Sequence, residues 1–333
     1  MSTQIGIEVN PDLNAEGQEV PDSGIKIENE SKLETKFKTN SKTPEEGKIE
    51  KKRQSISEKF KELRERGEGA LICYIMAGDP SVESTKENVK ALVAGGADII
   101  ELGFPFSDPV ADGPTIQAAG QRALAACMDI PGYFELVRSL DIQIPLVCMT
   151  YYNPVFRYGL KNFVEKAAEA GIKGLIIPDI PVEETTDLKT CCEKARIDLI
   201  FLVAPTTTEE RIQKILQNGS GFLYLVSRLG VTGARADIST STEELLCRVK
   251  TELPKAVGFG ISTGNQAKEI RKAGADAVIV GSAFVKIIEE GENVSSKLEA
   301  LTKELKSGML PAKDGRKEKN EANKNSRSLR FRN

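Results

Sequence analysis

The sequence predicts a closed (β/α)8 barrel, the TIM barrel, and three observations predict it. Eight short apolar runs recur along the middle of the chain, and a run with helical spacing follows each of them. Together they span about 250 residues, the usual size of such a barrel. The runs are continuously apolar rather than alternating, as parallel strands buried on both faces require. A doubly wound open sheet shares this alternation of elements and stays open on pattern alone.

Taken in order, an extra N-terminal helix comes first, over 54–66, with Ile56, Phe60 and Leu63 on one face and suited to closing the barrel bottom. Strands are expected at 70–76, 97–102, 144–149, 174–177, 198–203, 222–226, 255–259 and 276–280. Helices are expected at 82–94, 131–139, 159–170, 183–195, 207–217, 241–250, 264–273 and 283–306. Ser81 and Thr207 supply N-caps, and Gly171, Gly219 and Gly274 supply stops. A long insertion after the second strand, 104–130, holds a short helix near 114–125.

The ends differ from the middle. Residues 1–53 contain eleven acids and nine bases, one aromatic residue (Phe37) and no apolar period. Such a segment buries too little apolar surface to offset its chain entropy, so it reads as a disordered extension. Its acids argue against a transit peptide, and no signal peptide or bilayer-length apolar run is present, so no membrane role is expected. Residues 311–333 read as a disordered basic tail, with eight bases against three acids from 313 onward. With a net charge of −3 for the chain and few aromatics in the tail, a solvated end is expected, and no nucleic acid. The barrel is therefore assigned to 54–310.

Six Cys lack any CxxC spacing, which fits a reducing, cytoplasmic location. His is absent, which removes Ser-His, Cys-His and His-metal chemistry. No metal is expected, and acid–base work falls to Asp, Glu, Lys, Tyr or Cys.

Residues 100–117 carry the chemistry. An apolar run delivers Glu101 and stops at Gly103, and a loop rich in Pro and Gly then adds Asp108 and Asp112. A carboxylate at the C-terminal end of a strand is how barrel enzymes place acids and bases. At the other end of the chain, Gly258–Ser262 and Val280–Ala283 follow the seventh and eighth strands, where glycine-freed amides and a helix N-terminus bind phosphate. Gly260, Gly281 and Ser282 are the candidate ligands. No nucleotide-binding glycine pattern occurs, and no cofactor is expected. Segment 227–240, polar and Gly-bearing, reads as a mobile lid.

The stretch ELGFPFSDPVADGPTIQ (101–117) resembles the signature of the tryptophan synthase α subunit family. AGDPS (77–81), YYNPVF (151–156), PDIPVEE (178–184), LVSRLGVTG (225–233), GFGIS (258–262) and VGSAFVKII (280–288) follow in that family's order, so the resemblance covers 54–308. It implies retro-aldol cleavage of indole-3-glycerol phosphate to indole and glyceraldehyde 3-phosphate. A tryptophan synthase β subunit is the implied partner, in an α2β2 complex. The resemblance makes Glu101 the acid/base and Asp112 the acceptor of the indole N–H. It makes Thr232 a residue that closes on Asp112, and Gly233 part of the phosphate cradle. Tyr151 and Tyr224 would position the pair, and Tyr74, Met149, Ile176 and Phe259 would wall the indole. Burial at a strand end should raise the Glu101 pKa. Leu229 and Phe222 depart from the residues common in the family. A stand-alone lyase and a non-catalytic activator of the β subunit remain as alternatives, and the intact Glu101 and Asp112 argue against the second.

Overall fold

The computed structural model describes residues 53–226, 240–258 and 260–311. The expectations placed on both tails, on the lid segment 227–239 and on Thr232, Gly233 and Phe259 lie outside the described residues.

Parallel strands β1 (Ala70–Met76), β2 (Ile99–Gly103), β3 (Leu146–Met149), β4 (Gly174–Ile176), β5 (Asp198–Ile200), β6 (Leu202–Val203), β7 (Leu223–Val226), β8 (Lys255–Gly258) and β9 (Ala277–Val280) form one sheet. Its order is β5-β4-β3-β2-β1-β9-β8-β7-β6. The two ends of that order, β5 and β6, are separated in the chain by Phe201 alone, whose carbonyl accepts a hydrogen bond from Tyr224 N at 3.0 Å. The sheet thus closes on itself through 198–203. The single strand expected there is two pieces: β5 pairs with β4, and β6 pairs with β7. Strand tilt staggers the neighbours on either side, so they reach different heights along this segment.

Strand parity sorts the core into two. Ala70, Ile72, Ile99, Val147, Ile176, Phe222, Tyr224, Ala256, Ala277 and Ile279 face the lumen and form one buried cluster. Their neighbours Leu71, Cys73, Ile100, Leu102, Leu175, Leu225 and Val278 face the helices and form the other. The N-terminal helix Ile56–Glu65 starts at a capping box between Ser55 and Glu58. It plugs the bottom of the lumen with Ile56, Phe60 and Leu63, and the rings of Phe60 and Phe222 lie 6.1 Å apart.

Arg53, grouped with the N-terminal extension on composition, is buried. Its guanidinium donates to the carbonyls of Val137 (2.6 Å), Leu140 (2.9 Å) and Ala170 (2.9 Å). They lie at the C-terminal ends of helices Ile130–Ser139 and Leu160–Ala170, where the Val137 and Leu140 carbonyls also accept from Leu140 N and Ile142 N at 3.3 and 3.0 Å.

The helices otherwise follow the pattern with four differences. A helix at Tyr152–Tyr158 precedes Leu160–Ala170, the break falling at Gly159 with φ +91°. Pro154 is tolerated there because a first-turn N–H has no intrahelical partner. The run expected over 283–306 is two helices, Ser282–Glu290 and Val294–Gly308, divided at Gly291 (φ +74°) and Asn293 (φ +51°). Val182–Glu184 is a separate 3-10 turn before helix Thr186–Ala195. The cap of helix Glu209–Asn218 is Thr208, while Thr207 accepts from Ala204 N instead. No helix among the described residues is long and apolar enough to cross a membrane.

Candidate active site

Lumen-facing positions at the C-terminal strand ends build the site. On β2 the parity that points Ile99 inward also points Glu101 inward, and Glu101 is in register with Tyr74 of β1 and Val147 of β3. Met149 pairs with Ile176, and Tyr224 pairs with Leu202. The two tyrosine rings lie over strand positions where a side chain would not fit. A Cβ on Gly258 would sit 2.6 Å from the Tyr224 hydroxyl, and one on Gly103 would collide with the Tyr74 hydroxyl. These glycines clear room for the rings that stand beside Glu101.

Glu101 is fully buried, and neither carboxyl oxygen has a hydrogen-bond partner among the described residues. Burial, and then the nearby Asp112 charge, push its pKa to about 8. Asp112 lies on the loop after β2 and is half-buried. Burial raises its pKa to about 6, held down by a hydrogen bond from the Tyr151 hydroxyl. That hydroxyl also accepts from Ala111 N at 3.0 Å, and its ring lies 5.4 Å from Phe106. Tyr151 thus holds the Asp112 loop by backbone and carboxylate together. Burial and both carboxylates raise the pKa of Tyr74 and Tyr224 strongly. At pH 7 the arrangement presents one neutral carboxylic acid and one carboxylate, two like groups separated by environment.

Asp108 lies apart from this pair: it is exposed and accepts from the Ser107 hydroxyl. Gly260, exposed with φ +73°, lies in the loop after β8, and Gly281 and Ser282 follow β9. Of the two helices that begin here, Gly264–Lys272 uses its own capping box, and Gln266 Oε1 accepts from Ser262 N and Thr263 N at 2.8 and 3.1 Å. Helix Ser282–Glu290 begins at Gly281 with no side chain on its first-turn amides. An anion is therefore better received at Gly281–Ser282.

Sequence reasoning missed several lining residues. Met76, Phe104, Phe106 and Thr150 share a narrow cleft with Tyr74, Asp112 and Tyr151. A second cavity, of about 390 Å³, opens by Pro178, Leu202, Thr206, Arg211 and Val226. Period two could have found Met76 from Tyr74 and Leu202 from Ile200, since each pair shares a strand face. Phe104, Phe106 and Thr150 lie beyond the strands, where no period applies.

A family profile for the tryptophan synthase alpha chain matches residues 60–311. The chain belongs to the tryptophan synthase alpha chain family. Membership gives it a lyase role in tryptophan synthesis. It is 77% identical over 260 residues to the tryptophan synthase alpha chain of Methanosarcina barkeri, covering 78% of this chain and 99% of that one. To the counterpart from Natronomonas pharaonis it is 50% identical, over 74% and 94% of the two chains. Among solved structures, tryptophan synthase from M. tuberculosis superposes with TM-score 0.71 at 40% identity, covering 78% of this chain and 100% of that one. The tryptophan synthase complex from Pyrococcus furiosus gives 0.66 at 38% identity, over 72% and 98%.

Proposed function

We propose that this site cleaves indole-3-glycerol phosphate to indole and glyceraldehyde 3-phosphate. The observation that carries the reading is the pair Glu101 and Asp112, one protonated and one ionised at pH 7 within one buried site. Neutral Glu101 gives its proton to indole C3, and the ring becomes an indoleninium whose N1–H faces the Asp112 carboxylate. Glu101, now a carboxylate, takes the proton of the C3′ hydroxyl. The C3–C3′ bond breaks as the carbonyl forms, and its electron pair restores the aromatic ring. No proton is gained or lost overall. Asp112 stays ionised and offsets the charge that develops on N1. The uncapped amides at Gly281–Ser282, with Gly260 and Gly233, would hold the phosphate. Tyr74, Met149, Ile176, Tyr224 and Phe259 would enclose the indole, with Thr232 closing on Asp112.

A pH profile tests this. Activity needs Asp112 ionised and Glu101 protonated, so kcat/KM should rise through about 6 and fall through about 8. The Asp112→Asn variant should lose the acid-side limb along with most of its rate. A profile without either limb would overturn the assignment of the pair.

The proposed partner is a tryptophan synthase β subunit, two copies of each chain assembling and indole passing between them. Two apolar side chains on the catalytic rim support a docking surface. Val110, in the loop after β2, is 82% exposed, and Phe156, in the helix after β3, is 62% exposed. Val110 lies two residues from Asp112 on the same loop, so a subunit that covers Val110 sits beside that carboxylate. Isolated, the chain should be slow, and a saturating β subunit should raise turnover by about an order of magnitude or more. Substrate should in turn tighten the complex, because such coupling is reciprocal. Equal rates with and without the β subunit would favour a stand-alone lyase that releases indole.

A further inference from the structure

Asp79 lies in the loop after β1, its side chain fully buried. It is gripped by one edge of a guanidinium: Arg122 Nε donates to Oδ1 at 2.7 Å and Nη2 to Oδ2 at 2.9 Å. The remaining arm, Nη1, donates to Glu289 Oε1 at 3.0 Å. Arg122 stands in the last turn of helix Pro114–Ala125, whose other end is joined to Asp112 through the N-cap Gly113, and Gln117 Nε2 donates to the Asp112 carbonyl at 2.9 Å. Glu289 stands near the end of helix Ser282–Glu290, whose first turn is the uncapped anion site. Seven residues of α-helix are about 10 Å long and stiff. The far ends of two rods are thus pinned to each other and to the loop after β1, while their near ends would hold the two extremities of the proposed substrate.

We propose that Arg122 is a positioning residue that fixes the distance between the phosphate-binding end and Asp112, so that one ligand can reach both. The inference rests on the function proposed above. A fork of five donors in one plane is what the role needs, and Lys, a single point charge, cannot reproduce it. Each half of the site then remains intact in an Arg122→Lys variant, and what is lost is their spacing. Spacing is worth much: displacement by about 1 Å of a reacting group can cost up to about a hundredfold.

The test uses the full-length chain and three probes: inorganic phosphate, indole, and an indole joined through three carbons to a phosphate. In Arg122→Lys the linked probe should bind about tenfold more weakly, while phosphate and indole each bind within about twofold of the parent, because linkage benefits only correctly spaced sites. The kcat/KM for indole-3-glycerol phosphate should fall about ten- to a hundredfold. Glu289→Gln, half-exposed and harmless to folding, should shift the linked probe in the same direction by about two- to threefold. A linked probe bound by Arg122→Lys as tightly as by the parent would overturn the proposal. So would a parallel loss of all three probes, which is the signature of general loosening. A parent chain that binds none of the probes would instead overturn the functional reading beneath it.

Discussion

Replacing Glu101 by Gln should abolish cleavage and at the same time stabilise the protein above neutral pH. Gln cannot shuttle the proton between C3 and the C3′ hydroxyl, so turnover should fall by about two to four orders of magnitude. The stability gain follows from linkage. The Glu101 pKa is about 8 in the folded chain against 4.5 as its ordinary value. Between those values the folded state holds one proton more than the unfolded state, so stability falls as pH rises through that window. The Gln variant lacks this slope. At pH 8 the difference is on the order of 2 kcal/mol once the buried, unpartnered amide is allowed for. That corresponds to a melting temperature higher by about 4 to 8 °C. At pH 4.5 and below the linkage gain is gone and only the amide penalty is left, so there the variant should be the less stable of the two. Thermal unfolding at pH 5 and pH 8, beside an activity assay, decides it: a variant less stable than the parent at pH 8 would show that Glu101 is not held neutral.

The second large effect belongs to Arg53. Its three carbonyl acceptors lie at the ends of two different helices, and an Ala side chain would strip the guanidinium from all three, leaving Val137 and Leu140 only their backbone donors and Ala170 without the bond it has here. Hydrogen bonds to a charged group at buried helix ends are worth about 1.5 to 3 kcal/mol, and leaving acceptors unsatisfied adds to that. Arg53→Ala should therefore cost about 3 kcal/mol, or about 6 to 12 °C in melting temperature. Arg53→Lys should fall between, having one ammonium for three carbonyls. Removing residues 1–50 should by contrast leave the melting temperature within a degree or two. Equal melting of Arg53→Ala and the parent would mean that water replaces the guanidinium at no cost.

The contrast between these residues shows what the sequence could reveal. Glu101 stood out because an apolar strand that ends on an acid breaks its own pattern, and strand parity alone then aims it into the lumen. Arg53 was hidden because it follows two lysines at the end of a charged segment, and composition gives no sign that a cation there is buried. The bond of Arg122 to Asp79 spans 43 residues and has no local signature. The break at Phe201 was illegible for another reason: stagger is a property of the closed ring and is not encoded by any one strand. At Tyr152–Tyr158, the Asn-Pro pair reads as a turn, and only the position of Pro154 in the first turn makes a helix permissible. The loops after β8 and β9 were found by counting strands, because two glycine-bearing turns at the end of an eight-unit series have a known place in the ring.

The seam between β5 and β6 has a mechanical consequence. Strand pairing is unevenly distributed around the ring: β1 offers seven residues, whereas β4, β5 and β6 offer three, three and two. Glu101 is anchored on the well-laddered side, between β1 and β3. The larger cavity opens on the sparse side, at Pro178, Leu202 and Val226. The barrel is in effect a ring with one stiff arc and one compliant arc. Its mouth can widen where few ladder bonds resist, while the proton carrier keeps its place on the arc that does not yield.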